Sequence, residues 1–297
     1  MSIASTPMTP GAPGAPGAPR PSAAQAGRSG VDWDAVRAVM GKDLRAVRRS
    51  RAVMLPMIIV PTLMLVVLPA LIGFGAANAG EVNTDRFMDA LPSAISGPLL
   101  HEAPKERLII LVLGYLLAPL FLIVPLMVSA VLAADAFAGE KERRTLETVL
   151  HLPIADRDLF LAKVATGFLP AVAVSWLGYV FFCFVANGVA WPVMHRAFLP
   201  NRLWTVMIIW VAPAVAGVGL GVMVRVSAWA RTTQEANQLG GAVILPIIFA
   251  AMGQATGLLL VDVQVSLIIG AVMWAIAVLL IVHGARSFTR DRLASRS

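Results

Sequence analysis

Gly139 to Leu159, GEKERRTLETVLHLPIADRDL, carries nine charged side chains between two of the most apolar runs of the chain. Insertion of one charge at the centre of a membrane helix costs ~2.5–3.5 kcal/mol, so nine in lipid would cost more than about 20 kcal/mol. The stretch therefore lies in water or against another protein, and the apolar runs on either side of it lie in the membrane. That assignment sets the fold.

Of the 297 residues, 58 % are hydrophobic and 14 % are charged, against about a quarter charged in an ordinary soluble domain. Six stretches lack Asp, Glu, Lys and Arg: Ala52–Ala77, Leu108–Ala134, Val164–Met194, Leu203–Val224, Ala236–Val261 and Val263–Ala285. Each exceeds the ~20 residues a spanning helix needs. The expectation is an all-α membrane protein of six transmembrane helices. Of the Lys and Arg residues, 19 fall in the N-terminal region, the second and fourth loops and the C-terminal tail, against 5 in the other loops. By the positive-inside rule both termini and the charged stretch face the cytoplasm. No cationic segment, short apolar run and cleavage site precede the first span, so that span is expected to act as an uncleaved anchor.

Residues 1–30, with three Gly-Ala-Pro triplets, have too little apolar bulk to offset chain entropy and are expected to form a disordered cytoplasmic tail. Residues 31–51 place Trp33, Val36, Met40, Leu44 and Val47 at three- and four-residue steps, with Arg37, Lys42, Arg45, Arg48 and Arg49 on other faces. That pattern predicts an amphipathic helix on the inner membrane surface, basic side toward lipid headgroups. Residues 52–286 make the transmembrane domain and 287–297 a cytoplasmic tail. A short outer helix is expected around Phe87 to Leu91. Trp191, Pro192, His195 and Trp204 read as an interfacial aromatic belt. Pro56, Pro61, Pro69, Pro119 and Pro125 are expected to kink the first two spans. Gly217-x-x-x-Gly221 and Gly253-x-x-x-Gly257 permit close helix approach, equally within one chain or between two. The net charge of +7 is concentrated beside span ends, where it sets topology and meets anionic lipid; nucleic acid is not expected as a partner.

Within the charged stretch, Glu140, Arg144, Glu147 and His151 form one edge of a short helix, and Leu146, Val149, Leu150 and Pro153 an apolar edge. Such a helix seats in a partner's groove or folds back on the span ends. The run Ala134-Asp-Ala-Phe-Ala-Gly-Glu-Lys-Glu-Arg-Arg-Thr-Leu-Glu-Thr-Val-Leu150, followed by Pro153-Ile154 and Ala162-Lys163, resembles the segment between the second and third spans of the ABC-2 family of ATP-binding-cassette exporter permeases. Lys42-Asp43-Leu44-Arg45 through Arg51 is similar to that family's connecting helix. Arg231-Thr232-Thr233-Gln234-Glu235-Ala236 gives weaker support. Val149 in place of Leu, and Ala155-Asp156 in place of Ser-Arg, are departures that touch detailed contacts. The resemblance implies a type V exporter-like transmembrane domain, with a coupling helix at 139–158 that rests on a separate ATPase. It assigns Glu140, Glu142, Arg143, Arg144, Thr145, Leu146, Glu147 and Leu150 to the coupling surface. It also implies a second permease copy or paralogue, and location in a bacterial cytoplasmic (inner) membrane.

The phosphate-cradling G-x-x-x-x-G-K-[ST] loop is missing from the sequence. The chain is thus expected to be a non-catalytic subunit that binds no cofactor itself, ATP and Mg residing on the partner. Proton- or sodium-driven carriers place ionisable groups mid-membrane, whereas Asp135, Lys163, Arg225 and Asp262 sit at span ends; a secondary transporter, or a membrane scaffold without an ATPase, is the alternative. His101, His151, His195 and His283 are scattered, so no metal set is expected. With no charge inside the spans, the translocation path is expected to be lined by Met57, Thr62, Tyr115, Phe121, Trp176, Tyr179, Gln254 and Thr256. Those residues suit an amphipathic, lipid-like or drug-like cargo.

Overall fold

A computed structural model describes residues 30–78, 96–97, 99–142, 154–230, 232–255 and 262–287, apart from the side chains of Ala52, Ala77, Lys141, Gln254 and Ala255. The tails, the outer helix expected at Phe87–Leu91 and most of the charged stretch lie outside the described residues. A first helix, α1 (Trp33–Arg49), precedes six helices long and apolar enough to cross a membrane: α2 (Val53–Ala76), α3 (Pro104–Glu140), α4 (Asp156–Met194), α5 (Arg202–Trp229), α6 (Thr233–Gly253) and α7 (Val263–Arg286). No strand occurs among the described residues. The all-α, six-span fold expected from hydropathy is the one observed.

The apolar runs locate the spans, but the helices outrun them. At about 1.5 Å per residue, the 39 residues of α4 extend ~58 Å, nearly twice the ~30 Å of hydrocarbon. Its first turns, with the last turns of α3, therefore project beyond the apolar zone. Gly139–Glu142 belongs to the helix Ile123–Glu142, and Asp156 opens α4 with Ala155 as its N-cap. The described ends of the expected 139–158 coupling helix are thus continuations of two spans, and 143–153 lies outside the described residues.

Most of α3 and α5 is buried, and the other four spans face outward over most of their length. α5 lies against α3 and α7, and α4 against α2, α3 and α5. Small residues make this close packing feasible. A Cβ on Gly217 would lie 2.9 Å from the Ala277 Cβ, and one on Gly221 2.6 Å from the Leu280 Cβ. Gly217-x-x-x-Gly221 is therefore a seam between α5 and α7 of the same chain. Proline acts where expected in α3: regular hydrogen bonding breaks at Leu122, whose N–H donates to the Pro119 carbonyl at 3.1 Å. Three stretches shift to i→i+5 bonding, Leu63–Val67, Ile110–Leu116 and Met207–Val211.

At the end opposite α1, Asn187 of α4 stitches down the connection to α5. Its Oδ1 accepts from the Phe198 and Leu199 amides at 3.0 and 3.2 Å, and its Nδ2 donates to the Leu199 carbonyl at 2.7 Å. Arg196 there pairs with Glu102 and lies 3.6 Å from Glu106. Trp204 departs from the aromatic belt expected of it. It is fully buried, its indole N–H donating to the Leu113 and Gly114 carbonyls at 3.2 and 3.1 Å, whereas Trp191 is exposed.

Candidate functional site

Charged residues gather where α1, the end of α3 and the start of α4 meet. Asp32 begins α1 as its N-cap, accepting from the Ala35 amide at 3.1 Å, and its own N–H donates to Asp158 Oδ2 of α4 at 3.2 Å. Val36, Val39 and Val47 bury the inner face of the helix. Two positions differ from the amphipathic pattern: Trp33 is exposed, and Asp43 is buried on the inner face.

Asp43 is tolerated there because cations surround it. Lys42 Nζ lies 3.1 Å from Asp43 Oδ1 and 3.3 Å from Glu140 Oε1. Lys163 Nζ lies 2.7 Å from Glu140 Oε2, donates to the Ala136 carbonyl at 2.6 Å and sits 5.5 Å from the centre of the Phe137 ring. Two carboxylates thus meet two ammonium groups, and the core of the set is dry: the Lys163 and Glu140 side chains are 1 % and 9 % exposed. Burial pushes the Asp43 carboxyl above its ordinary range, opposed by the Lys163 and Lys42 charges. Burial weighs against the Lys42 ammonium, but Asp43 and Glu140 outweigh it and hold its pKa above the ordinary value. A charge-balanced cluster of this kind adds little net stability, because desolvation offsets attraction, yet it penalises any arrangement that separates the partners. It therefore fixes the position of α1 against α3 and α4.

A second tie reaches α6. Glu142 Oε2, two residues past Glu140, accepts from both the amide and the hydroxyl of Thr233 at 2.9 Å. Thr232 caps the same helix, its Oγ1 accepting from the Glu235 amide at 3.1 Å. Carboxylate and cap together occupy amides that an α-helix start leaves open. The Thr-Thr-Gln-Glu segment is thereby fastened to the end of α3.

Of the coupling residues read from the sequence, Glu140 points into the buried cluster rather than outward, because Lys163 draws it in. Glu142 lies at Thr233. Arg143, Arg144, Thr145, Leu146, Glu147 and Leu150 lie outside the described residues. The sequence reading placed Lys163 at a span end; its partnership with Glu140 was legible only as opposite charges on either side of a loop, and Asp43 was noted only as part of the segment similar to the family's connecting helix.

Among the described residues, two of the expected path residues meet directly. Phe121 and Tyr179 meet Phe182 and Trp204 in a cluster of four rings, with Tyr179 stacked on Trp204 at 5.6 Å and Phe121 edge-on to Trp204 at 5.3 Å. A narrow cavity borders it, lined in part by Met64, Leu68 and Leu120. Met57 and Tyr115 are partly buried against the core and Thr62 is exposed on α2. Trp176 is 48 % exposed and donates to the Ile208 carbonyl at 3.2 Å. The Gln254 side chain and Thr256 lie outside the described residues. Phe182 and Trp204 were missed: the first looked like one more apolar span residue, and the second was assigned to the membrane interface.

No curated protein matches this chain. The family model described as ABC-2 family transporter protein matches residues 37–286, which take in most of α1 and all six spans. The chain is therefore a multi-pass membrane protein of the ABC-2 transporter family, the family of ABC transporter permeases, which generally work with an ABC ATPase.

Proposed function

We infer that this chain is the transmembrane subunit of an ABC exporter and takes its energy from a separate nucleotide-binding subunit seated on the cytoplasmic loop 143–153 and its flanks. The observation that carries this is the convergence of α1, α3, α4 and α6 at one end of the bundle, through Lys163–Glu140, Lys42–Glu140, Asp32–Asp158 and Glu142–Thr233. A push on the loop reaches four helices at once, since its two flanks are the ends of α3 and α4. The excess of Lys and Arg in the segments at this end orients it toward the cytoplasm. Two such subunits, identical or related, pair with two ATPases. ATP binding closes the ATPase pair, displaces the loop and tilts α3 and α4, switching a cavity between the two faces of the membrane. The apolar and aromatic interior suits an amphipathic, lipid-like or drug-like cargo. Leu146→Asp combined with Glu147→Lys is expected to leave the protein inserted and folded while abolishing retention of the ATPase and the stimulation of ATP hydrolysis by hydrophobic compounds. Retention of both in that variant would refute the docking assignment.

A further inference from the structure

The cytoplasmic cluster leaves unexplained a second pattern, at mid-bundle. Four of the seven tryptophans donate their indole N–H to a main-chain carbonyl of another helix, and three of the four reach a π-bonded stretch. Trp176 of α4 donates to the Ile208 carbonyl at 3.2 Å, and Trp274 of α7 to the Trp210 carbonyl at 3.2 Å; both acceptors lie within Met207–Val211 of α5. Trp204, one turn earlier in α5, donates to Leu113 and Gly114 within Ile110–Leu116 of α3. Trp210 itself returns the bond to α7, donating to the Leu267 carbonyl at 3.1 Å. Gly270 makes room for it: a Cβ there would lie 2.3 Å from Trp210 Cδ1.

Hydrogen bonding explains why these partners coincide. Passing from i→i+4 to i→i+5 bonding disturbs the ladder of helical carbonyls, and in hydrocarbon no water makes up the loss. An indole N–H from a neighbouring helix is a donor that needs no charge and little space. Trp176 and Trp274 are therefore matched to the π register of α5, which returns to the α register at no covalent cost if they let go.

We propose that Met207–Val211 is a two-state element of the bundle, a π-to-α register switch in α5 latched by the indole N–H groups of Trp176 and Trp274. Release tightens α5 to i→i+4 bonding and turns the part that precedes the stretch relative to the part that follows. Trp204 lies on the turning side, so it swings away from Leu113 and Gly114 and loosens its edge contact with Phe121. The switch thus links α4 and α7 to the four-ring cluster between α3, α4 and α5. Its place in a transport cycle rests on the exporter reading, but the register change belongs to the permease alone and is tested on it alone.

The test is ¹⁵N-tryptophan labelling of the purified protein in lipid bilayers, where seven tryptophans give seven indole signals and Trp204→Phe assigns one of them. The double variant Trp176→Phe with Trp274→Phe keeps both positions aromatic and removes both latching donors. The expected result, beyond loss of the two substituted signals, is that the untouched Trp204 signal moves from its hydrogen-bonded position or splits in two. Gly270→Ala, which displaces the Trp210 ring from α7, is expected to move the Trp204 signal the same way and decides the matter should the double variant lose its fold. A Trp204 signal unmoved in the folded variants means that the indoles are static braces, and overturns the proposal.

Discussion

Glu140→Gln isolates the element that most constrains the charged end of the bundle. The substitution keeps side-chain shape and one carbonyl acceptor but strips the charge from the partner that sits 2.7 Å from Lys163. Lys163, 1 % exposed, is then left with the Ala136 carbonyl, the face of Phe137 and the more distant Asp43. Breaking a buried pair by removing one partner costs ~3–5 kcal/mol. The remaining partners place Glu140→Gln near the lower end, at about 3 kcal/mol. At about 2–4 °C per kcal/mol for a chain of this size class, the melting temperature falls by ~6–12 °C. Lys163→Met is expected to fall by a similar amount, because it takes from Glu140 the buried ammonium 2.7 Å away. Glu140→Leu combined with Lys163→Met removes both charges, keeps Lys42 beside Asp43, and is expected to return within about 1 kcal/mol of the parent or above it. The assay is thermal unfolding of the purified protein in mild detergent, followed by tryptophan emission. Single variants that melt with the parent, or a double variant that melts as low as the sum of the singles, would refute the buried-pair reasoning.

Other substitutions probe separate parts of the fold by the same assay. Asn187→Leu removes three bonds to the α4–α5 connection and leaves its amides without partners, a loss of ~1–3 kcal/mol. Gly221→Ala places a methyl against Leu280, and overpacking of this kind costs ~1–3 kcal/mol; because the seam is within one chain, the oligomeric state on gel filtration is expected to stay unchanged. Thr233→Val removes the hydroxyl but not the amide that Glu142 accepts from, so a loss of about 1 kcal/mol is expected, and Glu142→Ala added to it should cost less than it does alone. The hydrogen bond from Arg196 holds the Glu102 carboxyl below its ordinary value of 4.5. A lowered acid pKa gives stability that is present above the ordinary value and is lost as pH falls through the lowered one. Arg196→Gln is accordingly expected to lower the melting temperature slightly at neutral pH and to change little in the acid range, so that the drop between the two shrinks.

The spans were legible because hydropathy over about twenty residues is a strong local signal. Their ends were not: α3 and α4 continue through Asp135, Glu140, Asp158 and Lys163, charges that a hydropathy rule excludes and that pairing across helices makes acceptable. Asp43 shows the same limit, since period alone puts an aspartate of an amphipathic helix in water, and only the cations of α1 and α4 together explain its burial. The family resemblance did point to Glu142 and to the Thr232–Thr233 segment as notable, but not to their meeting, which depends on how α6 starts beside the end of α3. The tryptophans were the least legible group. An indole reads as an interfacial anchor or a path-lining ring until the acceptor is known, and the acceptors of Trp176, Trp204 and Trp274 are carbonyls of π stretches that no residue pattern announces.

The central claim, that this permease draws on a separate ATPase held at the charged end of the bundle, is tested most directly by gentle purification of the tagged protein from its native membrane, with identification of co-eluting chains and assay of ATP hydrolysis. The account predicts a P-loop ATPase at about one copy per permease, with hydrolysis that disappears when the ATPase is stripped away. A permease that elutes alone and without ATP hydrolysis, under the mildest extraction that keeps it folded, would contradict it.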